Sequence, residues 1–245
     1  MKNNKPEILF LHGYRGAPIG VEEIVTELRD YGFTVHVPAV PPFAGADLLT
    51  EYTPETYAKF VKNYIKNHNL VQPVLIGHSM GSIITAATAE KYPENINQKL
   101  ILLSPISKRT PQAVSSLSML AAYLPRKAVD KVTTRFLFVS KDKKLLRKTL
   151  EITDRCTRAT NIPRRDMARA GRFSANNGIT DFDFENDTLL LAGEKDRLVR
   201  KRDTEKLAKK LGAKLVLLEG TGHIHNYEKP HETAVEIIKF LEKAD

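Results

Sequence analysis

Apolar positions along the chain follow two alternating rhythms. Short runs mark one of them: Ile8-Leu9-Phe10-Leu11 within Glu7–His12, Val74-Leu75-Ile76, Leu100–Leu103, Thr188–Ala192 and Leu215–Leu218, joined by the alternating, β-branched stretch Thr34–Val37. Runs this short, bounded by turn residues, predict strands covered on both faces, as in a parallel sheet. Between them the spacing becomes helical. Val21, Ile24, Val25 and Leu28 form one stripe in Val21–Tyr31, with Gly32 as its stop. Thr53-Pro54-Glu55-Thr56 places a capping hydroxyl before a proline at the first helical position. That helix is predicted to run to Asn67 with Tyr57, Phe60, Val61, Tyr64 and Ile65 inward. Further helices are predicted over the small-residue stretch Ser82–Tyr92, over Asp203–Leu211 up to Gly212, and over Pro230–Lys243. Strands alternating with helices predict an α/β protein built on a parallel sheet of about six strands with helices on both faces.

The alternation breaks after Ser104-Pro105. Residues 106–186 show helical patterns at Val114–Leu124, Leu145–Thr160 and Arg164–Arg172, set around Phe136-Leu137-Phe138-Val139. This predicts a sheet domain made of residues 1–105 and 187–245, interrupted by a largely helical insertion. The same insertion holds the charge. The net charge is +9, yet Pro105–Thr180 carries 17 Lys/Arg against 5 Asp/Glu, a local charge of +12 that leaves −3 for the rest. Its arginines include Arg155 and Arg158, three apart, and Arg165 and Arg169, four apart, with Arg164 and Arg172 nearby. Arginine forks suit carboxylates and phosphates, so an anionic substrate or an acidic carrier protein is a candidate partner. Nucleic acid is not expected, because neither a reader motif nor an aromatic stacking platform accompanies the charge.

Composition narrows the remaining classes. Apolar residues make up 42% of 245, enough for one substantial core. The apolar runs fall far short of the ~20 residues that a membrane-spanning helix needs. The basic start Met1-Lys2-Asn3-Asn4-Lys5 is followed by too short a run for a signal peptide. Cys156 is the single cysteine, which excludes an internal disulfide and agrees with a reducing compartment. The expectation is a cytoplasmic protein. No Cys/His spacing suggests zinc, and nothing calls for a metal or an organic cofactor.

Candidate chemistry begins at Gly77-His78-Ser79-Met80-Gly81, a G-x-S-x-G motif between a predicted strand and a predicted helix. Glycines two positions to either side let backbones approach closely, and the strained turn lifts the Ser79 hydroxyl above the sheet edge. The helix that follows presents free N–H groups to a developing oxyanion. Three more segments share one pattern with this one: Leu11-His12-Gly13-Tyr14 after the first strand, Gly193-Glu194-Lys195-Asp196 after the fifth, and Gly220-Thr221-Gly222-His223 after the sixth. Glu228 follows His223 by five residues and Pro230 opens the last helix.

Together these four segments resemble the α/β-hydrolase family, with its order of serine, acid and histidine. The resemblance implies Ser79 as nucleophile, His223 as base and Asp196 as the carboxylate that orients it. It also implies an oxyanion hole from the N–H groups of Tyr14 and Met80. His12 precedes the serine and is expected to be a structural hydrogen-bonding group. Glu194 is the competing carboxylate and His225 the competing histidine. The family usually has two strands before the one ending in His-Gly, so six strands rather than eight are expected. A serine at the elbow excludes the epoxide hydrolases and haloalkane dehalogenases of the family, which use aspartate there. The insertion resembles the family's cap, whose Leu117, Leu120, Ala121 and Leu124 would either face an acyl group or pack on the sheet domain, with Met80 and Met119 adapting to a flexible chain.

The implied activity is hydrolysis of a carboxylic ester, of short to medium acyl length or monoacylglycerol-like, through an acyl-enzyme. Alternatives are a thioester or carrier-protein ester, a lyase using the same three residues on an anionic substrate, and a binding protein.

Overall fold

The computed structural model describes residues 5–108, 124–158 and 162–243. Among these, six strands form one sheet: β1 Ile8–Leu11, β2 Val35–His36, β3 Val74–His78, β4 Lys99–Leu103, β5 Asp187–Gly193 and β6 Lys214–Leu218. Their order is β2-β1-β3-β4-β5-β6 and every pairing is parallel. The α/β architecture read from the alternation is the one found. All six strands therefore end at the same edge, and the loops leaving that edge are neighbours.

Alternation along each strand sorts its side chains between two cores. Ile8, Phe10, Ile76, Ile101, Leu103, Leu189 and Leu191 face one side. There they meet α1 (Glu22–Asp30) through Ile24, Val25 and Leu28, and the last helix, α9 (Pro230–Leu241), through Ala234, Ile237 and Phe240. Leu9, Leu11, Leu75 and Leu100 face the other side, against α2 (Pro54–Asn67) and α3 (Met80–Lys91). Thr53 caps α2, its hydroxyl accepting the Thr56 N–H at 3.2 Å. Leu102 and Leu190 meet Leu207 and Ala208 of α7 (Lys201–Leu211), which ends at left-handed Gly212. Helix α3 is buried from Met80 to Ala89. Its alanines allow this, because small side chains let the helix lie close under the sheet.

Residues 106–186 stand between β4 and β5 and contribute α4 (Arg126–Leu137), α5 (Lys143–Arg158) and α6 (Arg164–Asn176). The sequence pattern indicates α5 and α6 but not α4. Of the predicted helix Val114–Leu124, everything before Leu124, Met119 included, lies outside the described residues, and Leu124 is exposed. Helix α6 joins the α2–α3 core through Met167, Ala168, Ala170 and Phe173. The short helix α8 (His225–Glu228) precedes α9. Among the described residues no helix is long and apolar enough to cross a membrane.

Candidate active site

Ser79 stands between the end of β3 and the start of α3, with φ 53° and ψ −113°. A non-glycine residue in that region is strained, and here the surrounding backbone enforces it. The Ser79 N–H donates to the Leu103 carbonyl at 2.9 Å. Glycine at both flanks is a steric requirement. A Cβ on Gly77 would stand 2.4 Å from the Gly81 carbonyl oxygen, and one on Gly81 only 2.1 Å from that of Leu11. The elbow thus fits only because two backbones touch where side chains would be.

Three loops from the same sheet edge converge on it. His223 follows β6, and its Nε2 lies 2.9 Å from Ser79 Oγ. Its Nδ1 lies 2.8 Å from Asp196 Oδ2, in the loop after β5. The other carboxylate oxygen of Asp196 accepts the Leu198 N–H at 2.7 Å and the Val199 N–H at 2.8 Å. Burial pushes the Asp196 carboxyl up, but His223 and these two N–H groups outweigh it and hold it below the usual carboxylate range. Both Asp196 and His223 are buried. The structure thus brings together the serine, carboxylate and histidine expected from the sequence. Met80 is the first residue of α3, so its N–H lies among the four with no intrahelical acceptor. The loop carrying Tyr14 passes beside it: a Cβ on Gly13 would meet Ser79 Cβ at 3.2 Å.

The competing residues have other partners. His12 Nδ1 donates to the Gly13 carbonyl at 3.0 Å, and its Nε2 accepts the Val40 N–H at 3.0 Å. Both bonds require one neutral tautomer, and burial lowers its pKa to about 4. His225 Nδ1 lies 3.1 Å from Thr233 Oγ1, away from Ser79, and burial lowers its pKa to about 3. Glu194 Oε2 lies 3.4 Å from the Gly220 N–H. Met80 is fully buried in the α2–α3 core. Arg155, Arg164, Arg165 and Arg172 are exposed, and Arg169 faces Asp166 at 4.0 Å. The side chain of Arg158 lies outside the described set. Among the described residues there is no cluster of three or more His, Cys, Asp or Glu that could hold a metal.

Four supporting groups were not singled out from the sequence. The His223 carbonyl accepts from His78 Nε2 at 3.2 Å and from Ser104 Oγ at 2.8 Å. Two strand ends therefore grip the backbone of the candidate base. Burial, then the neighbouring His223 and His225, lower the His78 pKa to about 3. The other two groups pair Arg15, the residue after Tyr14, with Asp130 of α4 at 2.7 Å, both side chains about nine-tenths buried. Spacings of 145, 119 and 115 positions left no local signal of these contacts.

Glu228, already flagged by its distance from His223, links the base loop to the insertion. Its Oε1 accepts the N–H groups of Val139 and Ser140 at 2.7 and 2.6 Å, and its Oε2 accepts that of Gly222 at 2.6 Å. Glu228→Gln replaces one acceptor oxygen by a donor that must face an N–H. Charge-assisted bonds of this kind are worth ~1.5–3 kcal/mol each, so a destabilisation of about 2–4 kcal/mol is expected. Urea unfolding of the variant beside the wild type measures it, and equal midpoints would refute the clamp.

Comparison with known proteins places this geometry in a family. A profile described as "Alpha/beta hydrolase family" matches residues 8–236, and the chain belongs to that family. A putative esterase/lipase of Mycoplasma genitalium is 29% identical over 106 residues, which span 43% of this chain and only 38% of that relative. An uncharacterized hydrolase of Bacillus subtilis, YugF, is 24% identical over 96% of this chain and 89% of its own. Among solved structures, an esterase from Exiguobacterium antarcticum superposes with a TM-score of 0.86 at 16% identity, covering 97% of this chain and 92% of that one. A thermophilic esterase from Thermogutta terrifontis gives 0.81 at 20% identity over 96% and 89%. At such identities these superpositions show the shared fold.

Proposed function

We propose that this chain is a serine esterase. The observation that carries the reading is the unbroken path from Ser79 Oγ to His223 Nε2 at 2.9 Å and from His223 Nδ1 to Asp196 at 2.8 Å. The hydroxyl attacks an ester carbonyl as His223 takes its proton. Asp196 stabilises the resulting imidazolium. Negative charge on the former carbonyl oxygen is met by the N–H groups of Tyr14 and Met80, aided by the N-terminus of α3. Collapse expels the alcohol, which receives the proton from His223, and leaves an acyl group on Ser79. Water, deprotonated by His223, then releases the acid and restores the serine.

In this reading residues 106–186 are a cap that walls the acyl site, and the substrate is a small ester of short to medium acyl length or a monoacylglycerol. Relatives described as esterases support the class. Among the described residues Arg155, Arg164, Arg165 and Arg172 are exposed and Arg169 faces Asp166, which favours neither an anionic substrate nor an acidic carrier, so neither is adopted. The test is intact-mass analysis after treatment with a fluorophosphonate probe, with Ser79→Ala beside the wild type. One adduct on the wild type and none on the variant is expected. No adduct on the wild type, or equal labelling of both, would overturn the reading. A p-nitrophenyl ester series then measures the acyl length accepted.

A further inference from the structure

We infer that the outer face of α4 is a docking surface for an anionic phospholipid bilayer. The helix turns Asp130 and Thr134 inward, where both are buried. On the opposite side Ala128, Val132 and Phe136 recur every four residues and are exposed, Val132 at 68% and Phe136 at 49%. Beside this crest a second row, Lys127, Lys131 and Arg135, recurs at the same spacing and is also exposed. Asp130 is the only acid of the helix, and it is held by Arg15. The outer face therefore presents cations and apolar side chains with no carboxylate of its own.

The surface continues past the helix. The Arg197 guanidinium donates to the Phe136 carbonyl at 3.1 Å, which brings the Arg197–Leu198 corner against the end of α4. Leu198 is 47% exposed. Helix α5, packed against α4, carries exposed Lys143, Lys144, Arg147 and Lys148 with exposed Asp142 and Glu151, and the docking surface itself consists of α4 and Leu198 alone. Lys148 is partly compensated by Glu23 at 2.9 Å.

Charge and shape choose the occupant. A second copy of the chain would bring the same cations against themselves. A stable protein partner needs roughly 800 Å² on each side, and a crest about 12 Å long, at 1.5 Å per residue, is a small part of that. A bilayer needs no such area: a few apolar side chains enter the headgroup boundary while flanking Lys and Arg meet acidic lipids. The inference does not depend on the esterase reading, because binding is measured without turnover.

The test is co-sedimentation of the full chain with vesicles of phosphatidylcholine alone and of phosphatidylcholine mixed equally with phosphatidylglycerol. Binding to the acidic vesicles only, weakened by high salt, is expected. Each cation near an acidic surface is worth roughly fivefold in binding, so Lys127→Glu with Lys131→Glu lowers it by about 25-fold or more. Val132→Asp with Phe136→Asp lowers it by at least about tenfold through lost insertion and added charge. These side chains point to solvent, and unchanged unfolding midpoints verify that the variants fold. The chain has no tryptophan, so Phe136→Trp supplies a single reporter whose emission shifts to the blue on acidic vesicles. Equal binding to both vesicle types, no effect of either double variant, or an unshifted tryptophan would overturn the inference. So would capture of an acidic acyl-carrier protein without any vesicle binding.

Discussion

Asp196→Asn lowers kcat on a p-nitrophenyl ester by about four orders of magnitude with little change in KM. The geometry gives the reason. The N–H groups of Leu198 and Val199 both point at Oδ1, so an asparagine keeps its carbonyl oxygen there and turns its NH₂ toward His223 Nδ1. That nitrogen must then be the unprotonated one. The proton moves to Nε2, which faces Ser79 Oγ and can no longer accept from it. Ser79→Ala and His223→Ala remove the exchange altogether, each by about 10⁶, and the double variant loses no more than either alone because the residues act as a unit. Steady-state kinetics on the purified variants measure this. A substantially active Asp196→Asn enzyme would mean that the carboxylate does not set the tautomer.

Stability is expected to fall steeply in mild acid. His12, His78 and His225 are buried, with pKa values of about 4, 3 and 3 in the folded chain. An unfolded histidine titrates near 6.5. Below that value the unfolded chain binds protons that the folded chain refuses, so stability drops as pH falls and levels off only below the folded values. At pH 5 each histidine contributes a loss of about 2 kcal/mol, or about 6 kcal/mol for the three. That is a large part of the ~5–15 kcal/mol that typically holds a domain folded. Asp196, held low in the folded chain, loses its contribution in the same direction at lower pH still. Urea unfolding at pH 8, 6.5 and 5 measures the slope. His225→Gln should flatten it by about a third, and a pH-independent midpoint would contradict the neutral state of these rings.

What the sequence announces and what it conceals divide along a physical line. The elbow at Ser79 is legible because close backbone approach admits only glycine at 77 and 81, and that constraint lies within five positions. Strand and helix alternation is legible because burial on two faces imposes its own periods. Helix α4 is harder to read because its apolar stripe Ala128, Val132 and Phe136 faces solvent while Asp130 and Thr134 face inward, and its end merges into the continuous apolar run Phe136–Val139, which carries no helical period. The grip of His78 and Ser104 on the His223 carbonyl is concealed for another reason. Each donor is locally an ordinary residue at a strand end, and only the parallel sheet brings the three loops to one edge.

The Arg15–Asp130 pair bears on how such a protein can be re-engineered. If residues 106–186 wall the acyl site, as proposed, exchanging them for the corresponding segment of a relative is a route to a new substrate range. Here that segment carries the counter-charge of a guanidinium beside Tyr14, on a residue whose own backbone is left-handed at φ 60°. A graft without an acid at the position of Asp130 would strand a buried charge, a loss of ~3–5 kcal/mol, next to a backbone N–H proposed to meet the oxyanion. Graft and loop therefore have to be designed as one module, with position 15 chosen together with the incoming helix.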